Sequence, residues 1–207
     1  MYRLLTKLVS ISVFAAAFST TASANSTFVT GTGTPLTASA NLDFTIIVPK
    51  FLYLRVGTGT NFASNATVDN IVYTVPAASI GSGTAVVGVG GDLTAGQVTA
   101  RVIGNNGVIT FTSTTLGPLN DGAGDTISYG QIAVAVATNT STTPLPHPTL
   151  VDGGTTTLTL PVTSGTKVTN LDAKWTFTYL NGAIVPPGTY GGVNVNNGRV
   201  TYAVSMP

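Results

Sequence analysis

The sequence predicts an all-β fold in which antiparallel sheets pack face to face as a sandwich. Three observations lead there. Apolar side chains recur at every second position along successive segments, and turn signals rich in Gly and Asn separate those segments at intervals of about a dozen residues. Beyond the N-terminal signal no stretch carries the helical amphipathic period. A transmembrane barrel would alternate in the same way. It would also place aromatic girdles on either side of an outward apolar band, and here the aromatic residues are few and scattered.

Residues 1–24 read as a secretory signal. Arg3 and Lys7 give a positive start, Leu8 to Phe18 is apolar, and Ala22-Ser23-Ala24 is a small-residue cleavage site. The apolar run is shorter than the roughly 20 residues a bilayer-spanning helix needs. The reading is therefore an exported protein whose mature chain starts at Asn25, keeps no membrane span, and passes through the periplasm to the cell surface or the medium.

The alternation begins at once. Leu36, Ala38, Ala40, Leu42, Phe44, Ile46 and Val48 share one parity, while Thr37, Ser39, Asn41, Asp43 and Thr45 occupy the other. Such a segment expects one face in a core and one in water. Ile47 breaks the polar side, and Pro49 ends pairing. Phe51 to Val56 predicts the next strand. Ile71 to Val75 and Thr84 to Val89 are rich in β-branched residues. Gln97 to Ile103 and Val108 to Thr112 flank Asn105-Asn106-Gly107, whose Asn-Gly step predicts a hairpin. Ile132, Val134 and Val136 alternate with alanines, and Thr156 to Val162 alternates threonine with apolar residues. Trp175, Phe177 and Tyr179 share a face, as the largest side chains on offer to a core. Val193 to Val195, an Asn196-Asn197-Gly198 turn and Val200 to Met206 complete the set.

Removing 24 of the 207 residues leaves 183, enough for one domain that buries about 70% of its unfolded surface. There is no cysteine, so in an oxidising destination the core must hold the fold without disulfides. Six basic residues and seven aspartates remain after the signal, with no glutamate and a net charge of −1. No basic patch is available for nucleic acid, and no charge run for an anionic membrane. Solubility falls to Thr, Ser, Asn and Gly, and so sparse a charge offers little resistance to self-association.

Reactive chemistry is scarce, and the reading is non-enzymatic. His147 is the one histidine and stands between two prolines, where an exposed loop position is expected. Neither a Gly-x-Ser-x-Gly elbow nor a His-Glu-x-x-His helix occurs. Most aspartates lie beside Gly or Asn, as turn residues do. Asn120 to Asp125 offers oxygen ligands on a Gly-rich loop, the best calcium candidate, although its spacing fits no EF-hand. Gly88 to Asp92 lacks the third glycine and the helix of a dinucleotide site. No catalytic residue, metal ligand or cofactor is assigned. Asn25, Asn65 and Asn139 begin glycosylation-type triplets of a kind that a chain so rich in Asn and Thr produces by chance.

Pro187-Gly188-Thr189-Tyr190-Gly191, followed by the alternating Arg199-Val200-Thr201-Tyr202-Ala203-Val204, resembles the closing strands of bacterial secreted pilins and spore-coat-U-like proteins. The resemblance covers about the last twenty residues and the overall composition. The disulfide usual in fimbrial subunits has no counterpart here. The likeness implies an immunoglobulin-like antiparallel sandwich with Greek-key connections. It also implies a fimbrial role in which a subunit lacking a strand receives its neighbour's N-terminal extension. The partners would then be further copies of this chain or related subunits, with a periplasmic chaperone and an outer-membrane usher. On this view residues 25–40 are an assembly strand, with Phe28, Leu36, Ala38, Ala40 and Leu42 as its apolar side chains. The alternative is an ordinary first strand over residues 25–48. A second functional reading, a secreted carbohydrate-binding or adhesin module, would use Trp175 or loop aromatics as a stacking platform.

Overall fold

The computed structural model of the chain describes residues 25–33 and 35–207; the signal expected over residues 1–24 lies outside the described residues. The chain divides into two units, Met1–Val48 and Pro49–Pro207. In the first, none of the described residues belongs to a strand or helix.

The second unit is all-β, with antiparallel strand pairs and almost no helix. Its larger sheet runs β1 (Leu52–Val56), β5 (Gln97–Gly104), β11 (Thr169–Tyr179), with β3 (Val86–Val87) and β9 (Ile132–Ala137) also paired to β11. The smaller sheet runs β10 (Gly154–Leu160), β6 (Ile109–Thr115), β12 (Thr201–Ser205). Two short ladders join β2 (Ile71–Val72) to β4 (Val89–Gly90), and β7 (Leu119–Asn120) to β8 (Thr126–Ile127).

The period-2 pattern explains the core. Val98, Ala100 and Val102 of β5, Ile109 and Phe111 of β6, Leu160 of β10, and Leu171, Ala173, Trp175 and Phe177 of β11 are buried together, with Leu145 from a loop. Trp175 stacks on Phe111 with ring centres 6.1 Å apart. Each large side chain so buried contributes about 1.5–3 kcal/mol. The outer face of the smaller sheet shows how the chain manages with little charge. Thr110, Thr112 and Thr114 stand opposite Thr159, Thr157 and Thr155, and the Thr114 and Thr155 hydroxyls bond at 2.8 Å. Threonine supplies both β propensity and a wet surface.

Three expectations change. First, Asn105-Asn106-Gly107 is not a hairpin. β5 and β6 belong to different sheets, and the tripeptide carries the chain from one to the other. Both strands own a buried apolar face and contribute to one core from separate sheets. The connecting polar groups are taken up elsewhere. Asn105 accepts from the Phe51 amide at 2.9 Å and donates to the Pro49 carbonyl at 2.8 Å, while the Gly107 amide donates to the Lys167 carbonyl at 2.8 Å. Second, Val193 to Val195 is not a strand. The turn after it does form, with Asn196 and Asn197 at φ of 49° and 57° and the Gly198 amide donating to the Val195 carbonyl at 2.8 Å. It anchors a loop, since the Tyr129 hydroxyl donates to the Asn197 carbonyl at 2.7 Å. Third, the alternating segment Leu36–Val48 is in no sheet, and both of its faces are exposed.

Candidate functional site

Every described residue from Asn25 to Lys50 is exposed. Phe28 is 91% exposed, and Leu36, Ala38, Ala40 and Leu42 are exposed with it. Exposure continues through Phe44, Ile46, Ile47 and Val48, so the unspent apolar row reaches beyond residue 40. Within Asn25 to Val48 the Thr27 hydroxyl donates to the Ser39 carbonyl at 2.8 Å.

In the second unit the unfinished part of the core is at β1 and β12. β1 pairs only with β5, and β12 only with β6, so each is the edge of its sheet. Their inward side chains, Leu52, Leu54 and Val56 on β1 and Tyr202, Val204 and Met206 on β12, lie against the core but stay half-buried. The two edges converge at Gly104. A Cβ there would meet Ile109 Cδ1 at 2.9 Å, Met206 Sδ at 3.0 Å and Leu52 Cδ1 at 3.2 Å.

A hollow of about 600 Å³ runs along β1, lined by residues 51–54 and 62–65, and a smaller one of about 90 Å³ continues toward Val56. No charged side chain lines the larger hollow. Three aromatic rings meet there. Phe62 is 5.5 Å from Tyr53 and 6.0 Å from Phe51, centre to centre. The Tyr53 hydroxyl donates to the Thr60 carbonyl at 2.9 Å. This cluster escapes sequence reading because Phe62 reaches it from a turn. The shared parity of Phe51 and Tyr53 was its one visible trace.

His147 is not an exposed loop residue. In the Pro-rich stretch Leu145 and Pro148 are buried and His147 is half-buried, while Pro146 is exposed. His147 stands edge-on to Trp175, with ring centres 4.6 Å apart, and edge-on to Phe177 and Tyr202. Its Nε2 is 2.6 Å from the Tyr202 hydroxyl. Burial pushes its pKa down to about 4, against a smaller opposing effect from the Pro148 backbone. Burial likewise pushes the Tyr202 phenol above its ordinary range. At neutral pH the neutral His147 ring and the Tyr202 hydroxyl therefore share a hydrogen bond between two uncharged groups. The arrangement gives structure and no nucleophile. Trp175 is 0% exposed, and its Nε1 donates to the Leu145 carbonyl at 3.0 Å. It fills the core and offers no sugar-stacking face.

The loop carrying His147 is fastened by Asp172 of β11. This buried carboxylate accepts from the Thr140 amide at 2.9 Å, the Ser141 amide at 2.7 Å, Asn139 Nδ2 at 3.2 Å and the Thr140 hydroxyl. Burial alone would raise its pKa. The bonds from Thr140 and Ser141 outweigh burial and hold the carboxyl well below the usual carboxylate range. Asp121, in the loop between β7 and β8, is spent on its own backbone. Its Oδ1 accepts from the amides of Ala123, Gly124 and Asp125 at 2.8–3.1 Å, and these bonds, led by Ala123, lower its pKa. Among the described residues no group of three His, Cys, Asp or Glu side chains is placed to hold a metal ion. The Asn65 and Asn139 amides are engaged within the fold, with Thr58 and Asp172. No helix among the described residues is long and apolar enough to cross a membrane.

No protein family matches the chain, and neither a curated protein nor a solved structure does so.

Proposed function

We propose that this chain is a secreted, non-enzymatic structural subunit of a surface filament, fimbria-like appendage or extracellular matrix, and that copies associate by strand addition. The observation that carries the reading is an alternating segment, Leu36–Val48, whose apolar row is exposed in the single chain. The edge strand β1, with its half-buried inward side chains and the hollow beside it, is the complementary feature. An added strand would bond to the β1 backbone and close the core with its even-numbered side chains. Repeated head to tail, that contact makes an open filament instead of a closed ring.

The finer fold expected with this role is an immunoglobulin-like sandwich with Greek-key connections. Two antiparallel sheets sharing one core support it. Further copies or related subunits are the proposed partners. An exposed donor segment of this kind would need a periplasmic chaperone and usher to prevent premature association.

The test compares the mature chain with a Leu42→Asp/Phe44→Asp variant by sedimentation velocity and negative-stain microscopy. Association by the parent and none by the variant is the expected result. A parent chain that stays monomeric at every concentration, or a variant that associates as well as the parent, would reject the reading.

A further inference from the structure

We infer that Ile47 of one copy is the register anchor of the added strand and seats in the aromatic hollow of Phe51, Tyr53 and Phe62 on the next copy. This rests on the strand-addition reading and adds what fixes the strand's position along β1.

With the even-numbered side chains of Leu36–Val48 directed at the core, the odd-numbered ones lie on the outer face of the larger sheet. Thr37, Ser39, Asn41, Asp43 and Thr45 suit water there, and Ile47 does not. It is 89% exposed. The outer row of β1 and its approach is Phe51, Tyr53 and Arg55. Arg55 is paired with Asp92 at 2.9 Å, so the apolar part of that row is confined to the Phe51–Tyr53 end. An apolar side chain on the outer row of an incoming strand thus has one apolar landing place on β1. A slip of two residues would set Thr45 on the rings or move Ile47 toward the Arg55 ion pair.

The turn that supplies Phe62 is a second, independent observation. Thr60 to Ala63 closes with the Ala63 amide donating to the Thr60 carbonyl at 3.4 Å. Phe62 occupies the third position at φ 62°, where such a turn takes Gly or Asn. A bulky residue with that backbone is an outlier. Asn61 stands one position earlier, so exchanging the two residues would relieve the strain. The chain instead holds a ring there that is 66% exposed, above an uncharged hollow. The strained residue holds its ring against Phe51 and Tyr53 and leaves the cluster open on one side, and the hollow's lack of charge matches an aliphatic side chain.

A double-mutant cycle on the full mature chain tests this. Ile47→Thr restores the polar alternation, and Phe62→Gly gives the turn its preferred residue while leaving the core untouched. Dissociation constants come from sedimentation, and thermal melts confirm that each variant is folded. Each single change should weaken association about tenfold, and the double variant no more than about tenfold, because both remove one contact. Multiplicative losses in the double variant would mean that the two side chains do not meet, and the anchor would fall. An Ile47→Thr chain that associates like the parent, while Leu42→Asp/Phe44→Asp abolishes association, would also overturn the anchor and leave strand addition standing. Failure of Leu42→Asp/Phe44→Asp to alter association would remove both.

Discussion

Acid should loosen this fold in a window that one residue controls. His147 is the chain's sole histidine, and its pKa is pushed from 6.5 down to about 4 by burial among Trp175, Phe177 and Tyr202. The unfolded chain therefore takes up a proton that the folded chain refuses. Stability is fully present above pH 6.5 and falls as the pH drops toward 4. The linkage integral gives a loss of about 2 kcal/mol by pH 5 and about 3 kcal/mol by pH 4. With a urea m-value of about 2 kcal/mol per M, the midpoint should move down by about 1 M between pH 7 and pH 5. The assay is urea denaturation followed by Trp175 fluorescence at half-unit pH steps. His147→Phe keeps the ring packing, and its profile should be flat from pH 7 to 5. The Asp172 carboxyl, held low, adds its own loss only once the pH falls below the ordinary carboxylate range, so the two effects separate. A parent midpoint unchanged between pH 7 and 5, or an equal slope in His147→Phe, would refute the burial argument.

Asp172→Ala removes the acceptor for two loop amides and three side chains. It should cost about 3 kcal/mol or more in chemical denaturation, and proteolysis should cut first within residues 138–147. Gly104→Ala forces a methyl against Ile109, Met206 and Leu52 where β1 and β12 converge, and should lower stability by about 1–3 kcal/mol in the same assay. Trp175, fully buried, should resist quenching by iodide in the native protein and become accessible in urea. Ready native quenching would contradict its place in the core.

Much of the strand pattern was legible. The runs that became β1, β5, β6, β9, β10, β11 and β12 each carry a face of alternate apolar residues, and the largest of these, Trp175 and Phe177, do lie at the centre. The shared face of Trp175, Phe177 and Tyr179 reveals only the second half of β11. Asn170 and Asp172 look like loop residues until the strap of residues 139–147 supplies donors to the buried carboxylate. His147 was misread for a related reason. A proline on each side signals a loop, but a loop can still lay side chains on a core, as Leu145, His147 and Pro148 do here. Phe62 could not have been placed, because nothing in Asn61-Phe62 announces a positive φ at an aromatic residue.

The remaining errors share one cause. Alternation tells which side chains want to be buried, but it names neither the sheet nor the chain that will bury them. Asn-Gly between two alternating runs predicts a hairpin because neighbouring strands usually pair. Here the two runs have stronger use for each other's apolar faces, and the turn becomes a crossing between sheets. Leu36–Val48 extends the same ambiguity to its limit. The most regular alternation in the sequence is, among the described residues, a segment whose apolar row stays in water. Five large apolar side chains at even positions are ample for a strand's core face, and each would gain about 1.5–3 kcal/mol on full burial. Scattered exposed leucines and valines are ordinary on a protein surface, but here seven successive even positions are apolar with five intervening odd ones polar. That order has the form of a strand awaiting an edge. β1 and β12 are both edges with half-buried inward side chains, and β1 is the one with a hollow along it, which favours backbone pairing there over any reactive group.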